Sequence, residues 1–224
     1  MPGPTVVLVH GLAGSADTTW REAGWFDLLA DVGRPTIGLD LPAHGSNPLP
    51  ADADVPLLHE WVLAQLPDEP VDAIGFSLGA KTLLLAAAAE PERFNRLVVA
   101  GAGSNLFVQD GGSSVLADAI EAGDPEDPVA RYFLEHATRS GMDPGALARV
   151  LRSEQGVVTK ELLAGLTVPT LVVLGDRDFV APADPLVDAL PDARFVNLRG
   201  VDHFSTPKDF GFLDAALDFI GAGG

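Results

Sequence analysis

The sequence contains no cysteine and few basic residues. Without cysteine the chain has no disulfide, no thiolate metal site and no cysteine nucleophile. Its 14 lysines and arginines stand against 32 acidic residues, which gives a formal net charge of −18. Such a protein repels phosphate backbones and anionic membrane surfaces. We therefore expect neither nucleic acid nor a membrane as a partner.

Long apolar runs and ligand-binding motifs are also absent. No run reaches the roughly 18 residues that span a bilayer, and the N-terminus lacks a basic region followed by an apolar stretch. We expect a cytoplasmic protein, with a secreted protein that has lost its signal as the alternative. There is no glycine-rich phosphate loop followed by lysine, and no paired histidines mark a metal site. We expect no cofactor and no metal.

The chain does show a regular alternation of strand and helix patterns. Its 224 residues, 47% of them hydrophobic, suit a single globular domain. Short Val-, Ile- and Leu-rich runs are each followed by Gly, Asp or Pro and then by helical spacing, which predicts an α/β fold built on a mainly parallel sheet. The predicted strands are 5–10, 36–40, 72–76, 96–100, 170–174 and 194–198, and the predicted helices are 25–32, 57–66, 78–89, 185–190 and 210–220.

One long segment interrupts the alternation. Residues 103–167 contain no convincing strand pattern but have helical patterns at 115–121, 128–138, 144–151 and 160–163. A loop of that length is unusual without structure of its own. We therefore predict a core formed by residues 1–102 and 168–224, with a helical insertion at 103–167.

The segment Gly75-Phe76-Ser77-Leu78-Gly79 follows a predicted strand and opens a predicted helix. This is the context of a nucleophile elbow, in which two glycines allow a sharp turn that exposes the serine oxygen at a helix N-terminus. The alternative is a tight turn with a serine that caps the helix. Ser77 is our candidate nucleophile.

Two further strand ends carry the residues that activate a serine. Gly175-Asp176-Arg177-Asp178 follows the fifth predicted strand, and Asp202-His203 follows the sixth. A serine hydroxyl needs a base such as imidazole to take its proton, and a carboxylate fixes the imidazole tautomer. His203 is the candidate base and Asp178 the candidate acid, with Asp176 as the alternative acid.

Together these motifs resemble the α/β-hydrolase superfamily over nearly the whole chain; His10-Gly11 and the segment 40–45 add to the match. The resemblance implies the strand order 2-1-3-4-5-6, with the insertion as a cap. It favours Asp178 over Asp176, and it implies that the backbone N–H groups of Leu12 and Leu78 form an oxyanion hole. The chain departs from the family in starting almost on the strand that bears His10, so we expect a trimmed sheet of about six strands.

Two more residues are candidates for substrate binding. Trp20 follows the Gly-rich loop after His10, whereas the other aromatic residues of this region are expected in the core. Lys81 lies four residues after Ser77, one turn along the same helix face, and is a candidate to bind a substrate carboxylate. The alternative is that its stem packs against the cap. His10 and His44 are expected to support loops.

The function that these residues favour is hydrolysis of a small carboxylic ester, thioester or lactone through an acyl-enzyme, with a small molecule as the partner. A second possibility is another reaction on the same triad: carbon–carbon bond hydrolysis, a lyase step, or perhydrolase or haloperoxidase-like chemistry. A third, from a different class, is a small-molecule sensor. The fold does not separate them, because function depends on the pocket.

Overall fold

The computed structural model describes residues 3–108, 112–123 and 126–223. Met1, Pro2 and Gly224, at the ends of the predicted core, lie outside the described residues. Within them, one six-stranded parallel sheet has the order β2-β1-β3-β4-β5-β6, which confirms the predicted architecture. The strands are β1 (Val6–Val9), β2 (Thr36–Leu39), β3 (Val71–Phe76), β4 (Phe94–Ala100), β5 (Thr170–Gly175) and β6 (Ala193–Leu198).

Nine α-helices are present in the described parts of the chain. They are α1 (Trp25–Asp31), α2 (Leu58–Gln65), α3 (Leu78–Ala89), α4 (Gly112–Ala122), α5 (Pro128–Arg139), α6 (Pro144–Arg152), α7 (Lys160–Ala164), α8 (Asp184–Val187) and α9 (Phe210–Phe219). A short helical segment not predicted from the sequence, Ala16–Arg21, follows β1, and the Ser15 hydroxyl caps it by accepting the N–H of Thr18.

The central strands are buried on both faces because helices cover each side of the sheet. Alternate residues of a strand point to opposite faces. Val7 and Val9 therefore face α2 and α3, whereas Val6 and Leu8 face α1 and α9. This explains why the strands appear in the sequence as continuous apolar runs rather than as alternating patterns.

The four helices α4 to α7 lie between β4 and β5, and the described part of residues 103–167 contains no strand. This insertion is fastened to the core by side-chain hydrogen bonds. Arg149 of α6 donates to the carbonyls of Pro50, Ala51 and Ala53 at 2.5–3.1 Å. Gln155 donates to the Pro56 carbonyl at 3.0 Å. The boundaries 103 and 167 remain a prediction.

Candidate active site

Ser77 lies in a strained turn between β3 and α3. Its backbone has φ 53° and ψ −111°, a conformation that a residue with a side chain seldom adopts and that costs about 1–3 kcal/mol. Gly75 and Gly79 make the turn possible, since a Cβ on Gly75 would come within 2.7 Å of the Gly79 carbonyl oxygen. A Cβ on Gly79 would overlap the backbone of β1. In this conformation the Ser77 side chain makes no capping hydrogen bond to α3.

Ser77, His203 and Asp178 form a continuous hydrogen-bonded chain. The Ser77 Oγ lies 3.0 Å from Nε2 of His203, and Nδ1 of His203 lies 2.9 and 3.0 Å from the two oxygens of Asp178. With Nδ1–H donating to the carboxylate, Nε2 is the atom left to accept the serine proton. His203 and Asp178 are buried.

Neighbouring residues hold the side chains of His203 and Asp178 in place. The rings of Phe76 and Phe179 both pack against the His203 imidazole, with centroids at 4.9 and 4.5 Å. The N–H of Val180 donates to Oδ1 of Asp178 at 3.0 Å. These contacts fix the imidazole plane and the carboxylate before a substrate arrives.

The neighbouring acids have other partners. Asp176 is exposed and accepts the N–H of Gly200 at 2.7 Å, so it closes a turn and does not contact His203. Asp202, next to the histidine, accepts the N–H and hydroxyl of Ser205 at 2.9 and 2.7 Å. These hydrogen bonds lower the pKa of Asp202. Of these three acids, only Asp178 contacts the imidazole.

The expected oxyanion donors lie beside the serine. Leu78 begins α3 directly after Ser77, and Leu12 lines the cavity into which Ser77 opens. Among the described residues, neither backbone N–H has a hydrogen-bond acceptor. Both are therefore free to bind an oxygen of a substrate.

Two buried histidines support the loop that carries Leu12. Nε2 of His10 accepts the N–H of Leu41 at 3.1 Å, and its Nδ1 lies 2.8 Å from the carbonyl oxygen of Gly11. The His44 ring lies 5.0 Å from that of His10, and its Nδ1 lies 2.9 Å from the Pro42 carbonyl oxygen. Burial lowers the pKa of His10 to about 4 and that of His44 to about 3. Both rings are thus neutral near pH 7.

The cavity at Ser77 is small, with a volume of about 120 Å³, and most of its lining residues belong to the core. Tyr132, Phe133 and His136 of α5 line it, together with Phe204 next to His203. The rings of Tyr132 and Phe204 are stacked, with centroids 3.7 Å apart. Neither Tyr132 nor Phe204 was expected in the site from the sequence. The amphipathic pattern of α5 was the only signal, and it does not show what its buried face contacts.

A larger outer cavity, of about 750 Å³, adjoins the first. The two share the lining residues Thr18, Tyr132, His136 and Lys208. Arg139 lies in the wall of the outer cavity, and its charge lowers the pKa of His136 after the larger effect of burial.

The structure corrects the expectation for Trp20. This residue is fully buried in the core, with its ring 5.2 Å from that of Trp25 and 6.4 Å from that of Phe212, and it does not line the Ser77 cavity. Proximity to the Gly-rich loop was misleading, because the unpredicted helical segment turns the indole towards the face of the sheet that α1 and α9 cover. Lys81 also lies outside the Ser77 cavity and lines a separate one.

The described residues contain no group of three His, Cys, Asp or Glu side chains arranged to hold a metal ion. In the same parts of the chain, no helix is long and apolar enough to cross a membrane.

Comparison with known proteins identifies the class. A family model described as the alpha/beta hydrolase fold matches residues 4–139. The chain belongs to this family, and the expectation of an α/β-hydrolase-fold enzyme is confirmed.

Individual relatives are similar over most of their length. A pimeloyl-[acyl-carrier protein] methyl ester esterase from Aeromonas hydrophila is 28% identical, over 98% of this chain and 96% of the relative. A protein of the same name from Methylococcus capsulatus is 32% identical, over 84% and 81%. The crystal structure of NosK from Streptomyces actuosus is 26% identical, with a TM-score of 0.75 over 97% of both chains.

Proposed function

We propose that this chain hydrolyses a small carboxylic ester through an acyl-enzyme on Ser77. The observation that carries the proposal is the unbroken chain of hydrogen bonds from the Ser77 Oγ through His203 to Asp178. The relatives from Aeromonas hydrophila and Methylococcus capsulatus support an ester as the substrate, since both are named as methyl ester esterases.

The reaction follows from the geometry in two halves. In the first, His203 Nε2 takes the Ser77 proton while Oγ attacks the ester carbon, and the oxygen that becomes negative is held by the N–H groups of Leu12 and Leu78. The imidazolium then donates its proton to the departing alcohol, which leaves an acyl-serine. In the second half, His203 deprotonates a water molecule that attacks the acyl-serine. This attack gives a tetrahedral intermediate. When it collapses, the imidazolium returns its proton to the Ser77 oxygen and the carboxylic acid is released.

Asp178 does not exchange a proton in this scheme. Its carboxylate keeps the proton of the neutral imidazole on Nδ1 and stabilises the positive charge that forms on the ring during each half-reaction. The burial of both groups strengthens this interaction, because fewer water dipoles screen it.

The cavity volumes indicate how the substrate is held. Ligand sites usually measure about 300–1,000 Å³, so the cavity of about 120 Å³ at Ser77 accepts only a short group. The remainder of the substrate extends past Tyr132 and His136 into the outer cavity of about 750 Å³. We propose an ester whose acyl group is short and lies in the Ser77 cavity, with its alcohol part extending into the outer cavity.

A fluorophosphonate probe tests the nucleophile. It should label the chain at Ser77, and Ser77→Ala should abolish both labelling and hydrolysis of p-nitrophenyl acetate. Ser104→Ala is the matched control, since Ser104 lines none of the cavities described above. Labelling at another serine would overturn the assignment. Labelling at Ser77 without turnover of any ester would favour a sensor.

Substrate length is tested with p-nitrophenyl esters from acetate to decanoate. We expect kcat/KM to be highest for the acetate-to-butyrate esters and to fall for longer acyl groups. A maximum at octanoate or beyond would contradict the short-group proposal without affecting the assignment of Ser77.

A further inference from the structure

Two loops next to the candidate active site contain strained backbone. The oxyanion loop, residues 11–15, follows β1 and carries the proposed donor Leu12, and a second loop follows the neighbouring strand β2. Ala13 lies in the first and Ala43 in the second, with φ values of 57° and 72°. In the described parts of the chain, Ser77 is the only other residue besides glycine with a positive φ. Residues with a Cβ seldom adopt this conformation, so the surrounding structure must hold it.

The Asp40 side chain joins these two loops. Its Oδ1 accepts the N–H of Ala16 at 2.7 Å, and its Oδ2 accepts the N–H and the hydroxyl of Ser46 at 2.7 and 2.8 Å. Ala16 directly follows the oxyanion loop and begins the helical segment Ala16–Arg21, whereas Ser46 lies in the loop after β2. Each carboxylate oxygen therefore holds a different loop.

Both ends of the oxyanion loop are fixed by consecutive residues at the end of β2. At the start of the loop, Nε2 of His10 accepts the N–H of Leu41 at 3.1 Å. At its end, Ala16 donates to Asp40. Leu12 lies between these two contacts, so the position of its N–H depends on both of them.

The surroundings of Asp40 suit an ionised carboxylate. Gly45 has a φ of 50°, and a Cβ on this residue would overlap the Asp40 carboxylate. Burial opposes the charge of Asp40, but the hydrogen bonds from Ala16 and Ser46 outweigh that effect and lower its pKa. Asp40 is therefore ionised at neutral pH, and an ionised oxygen accepts N–H groups more strongly than a neutral one.

We propose that Asp40 is a positioning residue which, by bridging the two loops, holds the Leu12 N–H where the oxyanion forms. The inference rests on the proposed function, because Asp40 acts through Leu12 and does not line the Ser77 cavity. A donor that is already in position stabilises the negative oxygen without rearrangement during the reaction. Loss of the bridge should therefore slow the chemical step and leave binding of the ester almost unchanged.

The kinetic test compares Asp40→Ala with the unaltered chain on p-nitrophenyl acetate. Removal of one oxyanion donor costs about 10²–10³ in kcat, and a displaced donor costs less, so we expect kcat to fall at least tenfold. KM should stay within about threefold. Asp143→Ala is the matched control, because Asp143 accepts the N–H of Gly145 at the start of α6 and lines none of the three cavities. Its kcat should stay within about twofold.

Asp40→Asn separates hydrogen bonding from charge, and it carries the test if Asp40→Ala does not fold. Asparagine keeps one acceptor oxygen, so kcat should fall about threefold or more, but less than in Asp40→Ala. A fall as large as that of Asp40→Ala would show that the charge matters rather than the bridge, and would overturn the proposal. A rise in KM alone would also overturn it, because Asp40 would then bind substrate in the outer cavity, which it lines.

A trifluoromethyl ketone tests the oxyanion itself. The Ser77 oxygen adds to the carbonyl carbon of 1,1,1-trifluoro-2-butanone, its proton moves to His203, and the ketone oxygen becomes an oxyanion at Leu12 and Leu78. We expect Asp40→Ala to weaken inhibition at least tenfold, in parallel with the loss of kcat, because such analogues report interactions made in the transition state. Equally tight inhibition of the variant and the unaltered chain would overturn the proposal.

Amide hydrogen exchange gives a readout that needs no activity. Gly14 donates to the Gly11 carbonyl at 3.1 Å and Ala16 donates to Asp40, so exchange at both should accelerate in Asp40→Ala, while β1 keeps its protection. Unchanged exchange at Gly14 would mean that the loop does not depend on Asp40.

The two possible failures are distinguishable. If the unaltered chain neither hydrolyses the ester nor binds the ketone, the proposed function fails and the role of Asp40 falls with it. If the unaltered chain does both and Asp40→Ala equals it in kcat and inhibition, only the role of Asp40 is overturned.

Discussion

His203 Nε2 lies 3.0 Å from the Oγ of Ser77, although 126 residues separate them in the chain. Ser77 directly follows β3, and His203 lies in the loop that follows β6. In a parallel sheet all such loops emerge at the same edge. The pairing is therefore produced by the topology of the whole sheet, and any change that shifts β6 relative to β3 would break it.

The assignment of the acid gives the first prediction. Asp178→Asn should lower kcat for p-nitrophenyl acetate on the order of 10⁴-fold, because the amide no longer fixes the tautomer or stabilises the imidazolium. The fold should remain intact, since the amide oxygen can still accept the N–H of Val180.

Asp176→Asn is the matched control for that experiment. Its side chain only closes the turn at Gly200, so we expect kcat to stay within about threefold. If Asp176→Asn were the more damaging change, the acid would have been chosen wrongly.

The sheet could be predicted from the sequence because its signal is local. Each strand is a short apolar run ended by a turn residue, and every predicted strand lies within two residues of the observed bounds. The glycines around Ser77 are informative for the same reason, since a Cβ at either would collide with a neighbouring backbone.

The walls of the cavity could not be predicted in this way. Tyr132 and Phe204 meet only because the cap folds over the core, a contact between distant segments that leaves no motif. The failure at Trp20 has the same origin, because its sequence neighbourhood does not reveal which face of the sheet the indole joins. The local motifs therefore predict the chemistry of the site, whereas the size of the pocket is determined by tertiary packing.

The second prediction concerns that packing. Tyr132→Ala removes the ring stacked on Phe204 at the cavity wall and should let longer acyl groups reach Ser77. We expect the ratio of kcat/KM for p-nitrophenyl hexanoate to that for the acetate to rise at least tenfold, since one methylene in a tight pocket is worth about 1–3 kcal/mol. Tyr132→Phe keeps the ring and should leave the ratio within twofold. An unchanged ratio in Tyr132→Ala would mean that another residue limits length.

The third prediction is a pH dependence of stability from His10 and His44. Their pKa values in the folded protein, about 4 and about 3, lie below the ordinary histidine value of 6.5 because both rings are buried. The unfolded chain therefore binds more protons as the pH falls below 6.5, and the free energy of unfolding decreases until the folded pKa values are reached. Each histidine should lower the free energy of unfolding by about 2 kcal/mol between pH 7.5 and pH 5.

Urea unfolding at the two pH values measures this effect. His44→Asn should be less stable than the unaltered chain at pH 7.5 but should lose about 2 kcal/mol less on acidification, because the titrating group is gone. Stability losses of equal size in the variant and the unaltered chain would contradict the prediction.

The last prediction concerns the attachment of the cap. The Arg149 guanidinium donates to three carbonyl groups of the loop that follows β2, those of Pro50, Ala51 and Ala53. Hydrogen bonds from a charged donor contribute about 1.5–3 kcal/mol. In Arg149→Met the stem remains but all of these bonds are lost, so α6 should separate from the loop more often. Amide hydrogen exchange should accelerate in α6 and in residues 51–53, while β1 and β3 keep their protection.

Arg152→Met is the matched control, since Arg152 lies on the same helix and, among the residues that the structure describes, pairs only with Asp118 and Glu121 inside the cap. Exposed pairs of this kind contribute about 0–1 kcal/mol, so this variant should leave exchange in residues 51–53 unchanged. Equal exchange in the two variants would mean that apolar packing, rather than Arg149, fastens the cap. The comparison is decisive because both substitutions remove one positive charge and insert the same side chain. They differ only in the hydrogen bonds that are lost: those from Arg149 join the cap to the core, and those from Arg152 lie inside the cap.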